Sequence, residues 1–172
     1  NEQLERGLVE RTRELRTAMA QLGEANVKLR DFARRDPLTG CFNRRHFHEA
    51  FRQLLASRIH TNRSVAMLLL DLDHFKRIND QYGHQAGDAC LIHAARCIEH
   101  AALSRTDLVA RYGGEEFVVA AACKDAQDAL QLAEAIRFRI QQAPVQYEDR
   151  NIRLSASIGI HTVPADRELS AE

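Results

Sequence analysis

The sequence predicts an α+β domain with a ferredoxin-like split βαβ fold, preceded by a long coiled-coil helix. The domain is predicted from its element order of strand, helix, helix, strand, strand, helix and strand. A continuous apolar run over 65–70 indicates a central strand buried on both faces, and alternation over 152–160 indicates a strand with one buried face. We therefore expect two parts, a coiled-coil helix over residues 1–35 and a domain over residues 36–172.

Composition and charge limit the classes of function. The 172 residues suit one domain and an appendage, and 45% of them are hydrophobic, which permits a sizeable core. Lysine plus arginine and aspartate plus glutamate are equal at 24 each, so no basic field favours nucleic acid as a partner. The four cysteines form no CxxC pair, which favours free buried thiols in a reducing cytosol. No signal peptide or bilayer-spanning apolar run is present in the sequence.

Residues 1–35 carry a heptad pattern with charges of both signs on the other faces. The heptad leucines are Leu8, Leu15, Leu22 and Leu29. A sustained heptad favours a two-stranded coiled coil over a single amphipathic helix packed on its own domain. Two registers remain open, because the leucines can occupy either the a or the d positions. In the second case the a residues are Glu5, Thr12, Met19 and Asn26.

The end of the first helix and the next two helices follow from local patterns. Asp36-Pro37 ends the first helix, because the residue before a proline avoids the α region. A second helix is predicted from residue 43 to about 57, and a third over 74–82. A fourth is predicted from Gly87-Asp88 to about Ala102, with Leu91, Ala95, Ile98 and Ala102 buried and His93, Arg96 and His100 outside. A fifth is predicted over about 126–141, with Leu130, Ala133, Ile136 and Ile140 on its apolar face.

Acidic residues stand at the end of the central strand. The run over 65–70 is followed by Asp-Leu-Asp at 71–73, and acids at the end of a buried strand lie at the sheet edge, where α/β-type folds place ligands. The backbone N–H groups of residues 74–76 would be the unpaired donors of a helix first turn, a natural phosphate site, and Lys76 adds a cation. These features together predict a metal ion bound with a polyphosphate.

Two more acids lie in a predicted β-hairpin. Residues 107–111 and 117–122 are predicted as strands joined across a Gly-Gly pair, because glycine tolerates the positive φ of such a turn. Glu115 and Glu116 are then either two solvated turn residues or ligands of a hard cation, whose accompanying anion can approach the glycines. Asn79 and Asp88 also have two interpretations each. Asn79 is either a polar residue near a helix end or a ligand contact. Asp88 is either a helix N-cap or a ligand contact.

A set of motifs occurs in a fixed order along the chain. The motifs are Asp36-Pro37-Leu38-Thr39-Gly40, Asn43-Arg44-Arg45, the ten residues from Asp71 to Asp80, Tyr82-Gly83-His84, Gly87-Asp88, Gly113-Gly114-Glu115-Glu116-Phe117 and Ser157-Ile158-Gly159. On these residues the chain resembles the bacterial GGDEF-domain diguanylate cyclases, in their GGEEF form, over about residues 36–163. An ordered set of motifs is far more specific than a lone pentapeptide. The helix before them resembles the signalling helices that follow bacterial sensor modules.

The resemblance implies a nucleotidyltransferase of signal transduction. Such an enzyme joins two GTP molecules into cyclic di-GMP and releases two pyrophosphates. The family fold is similar to the palm of nucleotide polymerases and of class III cyclases. One chain holds one GTP, so the active site would form between the two protomers of a homodimer, which the coiled coil would bring together.

The resemblance also assigns roles to residues of this chain. Asp71, Glu115 and the Leu72 carbonyl would hold two Mg²⁺ or Mn²⁺ ions, in two-metal chemistry. Glu116 is a weaker candidate, as a base or ligand behind the metal ions, and Asp73 would serve only to cap the helix. The substrate-binding residues would be Asn79 and Asp88 on the guanine, whose edge suits an amide and a carboxylate, with His74, Phe75, Lys76, Gly113 and Gly114 on the phosphates.

Two departures from the family pattern produce further expectations. The chain stops at Glu172, before the family's terminal helix and strand that supply a lysine and an arginine to the triphosphate, so the domain is expected to lack its C-terminal end. The family's Arg-x-x-Asp inhibitory site has Asp107 in place but Ser104 at the arginine position, so weak product inhibition is expected. The start at Asn1 predicts a cytoplasmic fragment of a longer sensor protein, one that can be attached to a membrane.

Two rival functions remain open on the sequence. A class III-type nucleotide cyclase would use the same metal ions for an intramolecular attack. A GTP-binding or dimerisation module with decayed catalysis is the alternative outside the enzymes. The intact residues that argue against decay are Asp71, Lys76, Asn79, Asp88 and Glu115.

Overall fold

The computed structural model describes residues 2–61, 63–102 and 108–164. It divides the chain into two compact units, Asn1–Arg34 and Arg35–Glu172. The first unit is one helix, α1 (Glu2–Arg34), as the heptad pattern predicts. Three of its leucines have exposed side chains, namely Leu15, Leu22 and Leu29, whereas the side chain of Leu8 lies outside the part that the structure describes. The pairing of two such helices stays a prediction.

The second unit is an α+β domain. Its elements are β1 (Phe42–Asn43), α2 (Arg44–Thr61), β2 (Ser64–Leu72), α3 (Phe75–Tyr82), α4 (His84–Ala102), β3 (Leu108–Gly113), β4 (Glu116–Cys123), α5 (Ala126–Gln142), β5 (Val145–Tyr147), β6 (Arg150–Ile152) and β7 (Ala156–Val163). The predicted order is present as β2, α3, α4, β3, β4, α5 and β7, so the palm-like α+β fold is confirmed. The sequence patterns did not reveal β1 or the β5–β6 hairpin.

The main sheet has five strands in the order β1-β3-β4-β2-β7. The central strand β2 runs antiparallel to both β4 and β7, whereas β1 pairs parallel with β3, so the sheet is mixed. The register places Asp71 opposite Glu116 on β4 and opposite Ser157 on β7. The end of β2 therefore meets the start of β4 and the start of β7 at one edge.

The two faces of the sheet are covered differently. Alternate residues such as Leu68, Leu70 and Phe117 pack into the main core with residues of α3, α4 and α5. The opposite face packs against Phe47 of α2. This second cover does not extend over Leu69, which is 45% exposed, so the expectation that the central strand is buried on both faces is wrong at its acidic end.

Several predicted boundaries differ from the structure. The strand expected over 152–160 is two strands, because β6 ends at Ile152 and β7 begins at Ala156. The Ser155 carbonyl between them accepts a hydrogen bond from the Asp73 N–H at 3.0 Å instead of a strand neighbour. Helix α2 continues to Thr61 rather than to 57.

The apolar faces of the last two helices also differ in detail. On α5, Leu130 is 44% exposed, and Ala129 and Leu132 take its expected place in the core. On α4, the expected buried stripe is confirmed, but His93 is half-buried rather than outside. None of the helices in the described ranges combines the length and apolar character needed to cross a membrane.

Candidate functional site

Carboxylates from two separate motifs meet at the edge where β2 ends. Asp71 is exposed near the end of β2, and Glu115 occupies the β3–β4 turn next to Glu116, the cross-strand neighbour of Asp71. The pKa of Asp71 is raised by desolvation and then by the negative charges of Glu115 and Asp73. The fold thus brings Asp71 and Glu115 within electrostatic reach, as predicted, and concentrates negative charge at this edge.

Asp73 is held by the first residues of β7 and the loop before it. The hydroxyls of Ser155 and Ser157 each donate to its carboxylate at 2.7 Å. These two hydrogen bonds, with that from Ser157 the larger contribution, lower the pKa of Asp73. The prediction that Asp73 only caps α3 is wrong, because the N-cap residue is His74 and no side chain bonds to the cap. No pattern in the sequence connects Asp73 with these serines.

The chain turns sharply from β2 into α3 at His74. This residue has a left-handed backbone, with φ of +57°, and its carbonyl accepts from the Ile78 N–H at 3.2 Å. Phe75 is 8% exposed and anchors the first turn of α3 in the core, whereas Lys76 is exposed. The first-turn N–H groups that have no intrahelical carbonyl therefore lie directly after the acidic end of β2, where the phosphate site was predicted.

The predicted guanine-binding residues lie on consecutive helices joined at Gly83. The carbonyl of Asn79 accepts from the Gly83 N–H at 2.9 Å, and its side chain is half-buried. Helix α4 begins at His84, so Asp88 lies inside the helix and the N-cap interpretation is wrong. Gly87 is buried against α3, since a Cβ there would overlap Asn79 Oδ1 and lie 3.3 Å from Phe75 Cζ. The glycine lets the Asn79 side chain reach α4 beside Asp88.

The turn of the β3–β4 hairpin is fixed by an arginine that the sequence interpretation did not use. Gly114 has a φ of +47°, which a residue with a side chain rarely adopts. Arg111 Nε donates to the Gly114 carbonyl at 2.9 Å, and Arg111 Nη1 donates to Asp36 Oδ1 at 3.2 Å. Asp36 Oδ1 also accepts from the Thr39 N–H and hydroxyl at 2.9 and 2.7 Å. Burial opposes ionisation of Asp36, but these hydrogen bonds and the Arg111 charge leave its pKa lowered.

Arg111 thus links two motifs that lie far apart in sequence. The turn after Asp36 and the turn at Gly114 are held together by one guanidinium, whose side chain is only 17% exposed. The opposite charges of Asp36, in the first motif, and of Arg111, two residues before the Gly-Gly motif, were the available indication of this contact.

The donor set at the acidic edge fits hard divalent cations. Across the described ranges, no three His, Cys, Asp or Glu side chains are arranged to hold a metal ion. The predicted set is different in kind, since it combines the carboxylates of Asp71 and Glu115 with the carbonyl of Leu72. Mg²⁺ and Mn²⁺ favour oxygen ligands, and Mg²⁺ sites commonly use one or two carboxylates with substrate phosphates.

A cavity of about 380 Å³ adjoins this edge. It is lined by Asp73 and His74 together with basic and polar groups that include Arg77, Gln81 and Arg153. The predicted inhibitory pair, Ser104 and Asp107, lies outside the described residues.

Comparison with protein families and curated proteins gives consistent matches. A family model described as "Diguanylate cyclase, GGDEF domain" matches residues 33–172.

Two similar proteins come from Pseudomonas aeruginosa. The cyclic di-GMP phosphodiesterase NbdA is 37% identical over 170 residues, which are 99% of this chain and 21% of NbdA. The bifunctional diguanylate cyclase/cyclic di-GMP phosphodiesterase MucR is 39% identical over 169 residues, which are 98% of this chain and 24% of MucR. The chain therefore spans about a fifth to a quarter of these relatives.

Solved structures resemble the chain over nearly its whole length. The coiled coil and GGDEF domain of DgcB from Caulobacter crescentus, in complex with c-di-GMP, has a TM-score of 0.83 at 26% identity, covering 93% of this chain and 85% of that one. The diguanylate cyclase SiaD of Pseudomonas aeruginosa, in complex with its activator SiaC, has a TM-score of 0.74 at 32% identity, covering 95% of this chain and 62% of that one.

Proposed function

Because this chain belongs to the GGDEF family of diguanylate cyclases, we propose that it condenses two GTP molecules into cyclic di-GMP and releases two pyrophosphates. The observation that carries the proposal is the position of two carboxylates from different motifs at one sheet edge. Asp71 lies opposite Glu116 in the register of β2 with β4, and Glu115 stands next to Glu116 in the turn before β4. Phosphoryl transfer between nucleotides needs such oxygen donors beside a phosphate-binding turn.

Different residues around the edge bind different parts of GTP. Asn79 and Asp88 hold the guanine, since an amide donates to O6 and N7 and a carboxylate accepts from N1–H and N2–H₂. The first turn of α3, over residues 74–76, donates backbone N–H groups to the phosphates, and Lys76 adds a charge. Gly113 and Gly114 present no side chain to the phosphates beside the turn.

Asp71, Glu115 and the Leu72 carbonyl are the groups that would hold two Mg²⁺ or Mn²⁺ ions. When bound, such ions lower the pKa of the attacking 3′-hydroxyl and neutralise charge on the triphosphate. Glu116, as a base or as support for a ligand, is the weaker candidate; its exposed position opposite Asp71 supports such a role. Arg111 orients the Glu115 turn through the Gly114 carbonyl.

The reaction requires two chains, because one domain holds one GTP and the product is two-fold symmetric. We propose that residues 1–35 form a parallel coiled coil that brings two domains, each over 36–172, face to face. Three observations support this: the exposed Leu15, Leu22 and Leu29, the unit boundary between Arg34 and Arg35, and the similarity to a DgcB structure described as a coiled coil with a GGDEF domain. The domain would then be the cytoplasmic output of a longer signalling protein, where GTP is available.

A GTP-binding module without turnover is the second candidate. It is favoured by one observation, the match of 99% of this chain to NbdA, a protein named only as a phosphodiesterase. Asp71 and Glu115 are both intact, which favours the cyclase, since two-metal chemistry needs carboxylates at this edge.

The test is a product analysis of the whole chain with GTP and Mg²⁺. We expect a mass corresponding to cyclic di-GMP and two pyrophosphates per product, with no reaction when ATP replaces GTP or when a chelator removes the divalent ion. Cyclic GMP as the product would replace the proposal with a class III-type cyclase. GTP binding without any product would leave the binding module as the function.

A further inference from the structure

The strand that leads into the Gly-Gly turn contains one extra residue, Tyr112. In the pairing of β3 with β4, Arg111 lies opposite Phe117. The next pair joins Gly113 to Glu116, so two steps along β3 correspond to one step along β4. Tyr112 is the extra residue of this β-bulge, and a bulge bends its strand and redirects the chain that follows. The chain redirected here is the turn before β4.

The side chain of Tyr112 is held by helix α2. The Arg44 guanidinium lies over its ring, with Cζ 4.5 Å from the ring centroid, which is within the range of a cation–π interaction. The Tyr112 hydroxyl lies 3.4 Å from His48 Nε2, a long hydrogen-bonding distance, and the two rings meet edge to face with centroids 5.7 Å apart. Because Arg44 and His48 are four residues apart, they are neighbours on one face of α2. The phenol ring therefore contacts two adjacent side chains of the helix.

Helix α2 is itself anchored in the core. Phe47 is 2% exposed and packs in the smaller core cluster with Ala110 and Val118 of the sheet. Its ring also stacks on that of Phe51 one turn later, with centroids 5.5 Å apart. The side chain of Tyr112 packs against the same cluster. The contacts with α2 therefore fix Tyr112 relative to the sheet.

Two consecutive residues thus attach the turn to different parts of the domain. Arg111 connects the Gly114 carbonyl to Asp36, and Tyr112 connects β3 to α2. After Tyr112, only two glycines precede Glu115. Glycine places few limits on the direction of the backbone, so the direction in which Glu115 is presented depends on the attachments around the glycines.

We propose that Tyr112 is a positioning residue for Glu115. Held on α2, its ring sets the direction of the turn and keeps the Glu115 carboxylate at the acidic edge with Asp71. The inference rests on the proposed function, in which Glu115 would hold a divalent ion. Replacing a residue that orients a metal ligand typically weakens metal binding about 10–100-fold. The competing explanation is that the contact with α2 only stabilises the domain.

Mn²⁺ binding, measured separately from turnover, distinguishes the two explanations. The whole chain is mixed with a non-hydrolysable GTP analogue and titrated with Mn²⁺, whose free fraction is read by electron paramagnetic resonance. Tyr112→Leu removes the aromatic ring and should weaken Mn²⁺ binding about tenfold or more. Its turnover should need a correspondingly higher Mg²⁺ concentration, whereas the KM for GTP at saturating Mg²⁺ should be nearly unchanged. The reason is that Asn79 and Asp88 lie on helices that pack on the other face of the sheet.

Three further variants assign the contacts. Arg44→Met keeps most of the side-chain length but removes the charge over the ring, so it should also weaken Mn²⁺ binding. Tyr112→Phe keeps the ring and loses only the hydroxyl contact with His48, so its effect should be smaller than that of Tyr112→Leu. Arg45→Met is the matched control and should bind Mn²⁺ as the native chain does. Arg45 is the next residue of α2, and its exposed side chain pairs with Glu49.

Native Mn²⁺ affinity in both Tyr112→Leu and Arg44→Met, with the fold verified by circular dichroism, would overturn the proposal. A lower melting temperature with unchanged Mn²⁺ affinity would also overturn it, and would give the contact a purely structural role. If Tyr112→Leu does not fold, Arg44→Met decides alone, because Arg44 is exposed on the helix surface. A native chain that binds no Mn²⁺ would overturn the proposal too.

Failure of the proposed cyclase reaction is seen separately. A native chain that binds Mn²⁺ with the analogue but forms no product from GTP would remove the cyclase assignment. The Mn²⁺ affinities of the variants would still decide whether Tyr112 positions Glu115, because they do not depend on turnover.

Discussion

The helix Glu2–Arg34 and the domain that begins at Arg35 use leucine in opposite ways. In the domain, Leu68, Leu70 and Leu72 are at most 1% exposed. In the helix, the heptad leucines that the structure describes are 63–67% exposed. The domain therefore contains its own core, whereas the described leucines of the helix are left exposed. In the proposed coiled coil, burying one such leucine would be worth about 1.5–3 kcal/mol.

The comparison also separates two requirements of the proposed reaction. The groups that would bind metal and nucleotide all lie in the domain, and the residues that would bring two domains together lie in the helix. Changes in the domain should then remove activity and leave assembly intact, whereas changes in the helix should remove assembly and lower activity with it. The expected effects below run from the largest to the smallest.

The largest effect is expected from Glu115→Gln, which removes a charge from the acidic edge and keeps the shape of the turn. Turnover of GTP should fall at least a hundredfold, because the cations lose a charged ligand. The fold and the oligomeric state should be unchanged, since Glu115 lies in the turn between β3 and β4 and the substitution keeps its shape. Initial rates of pyrophosphate release, together with sedimentation, would measure both. Turnover close to that of the native chain would contradict the assignment of Glu115.

The second effect tests the helix. Replacing Leu15 and Leu22 by lysine should give monomers and at least a tenfold loss of activity per chain, because charged residues cannot be buried in a coiled-coil seam. Thr17→Lys with Ala20→Lys is the matched control, since both positions lie outside the seam in either register. Sedimentation and turnover measured on the same samples would decide it. Fully active monomers of the leucine variant would show that the helix is not needed.

The third effect compares a largely buried ion pair of the domain with an exposed one. Arg111→Ala should lower the free energy of unfolding by about 1–3 kcal/mol, because it leaves the largely buried carboxylate of Asp36 without its charged partner. Arg137→Ala removes an exposed ion pair with Glu134 on α5, and it should leave stability nearly unchanged. Urea denaturation of both variants measures the difference. Equal effects would mean that Arg111 does not stabilise the turn after the helix.

The smallest effect concerns how the stability of the domain depends on pH. The hydrogen bonds from Ser157 and Ser155 lower the pKa of Asp73 from its usual 3.8, so the folded state favours the ionised carboxyl. Their contribution to stability is then complete above pH 3.8 and is lost as the pH falls through the lowered value. Ser157→Ala should therefore melt below the native chain at pH 7, by a margin that shrinks at pH 3.

A matched variant gives this last prediction its control. Ser157→Thr keeps the hydroxyl, and its melting curve should follow that of the native chain at both pH values. A constant difference between Ser157→Ala and the native chain across the pH range would contradict the role of the hydroxyl.

Local patterns in the sequence determined the elements and the positions of the motifs. Continuous apolar runs predicted β2 and β4, and hydrophobic periodicity predicted α4 and α5, because burial on one face of a helix repeats with the period of the helix. It also predicted α1 from the leucine repeat. The motif residues Asp71 and Glu115 were selected on their chemistry, and the structure brings them within electrostatic reach.

Only the tertiary structure decided which residues meet across the chain. The contacts of Arg111 with Asp36, of Ser157 with Asp73 and of Asn79 with Gly87 each join segments that no sequence period connects. They depend on the register of β2 with β4 and β7 and on how closely α3 approaches α4. Leu69 and Leu130 were expected in the core from their apolar patterns, but both are exposed. A pattern shows that a side chain is apolar, but it does not show whether a neighbouring element covers that side chain.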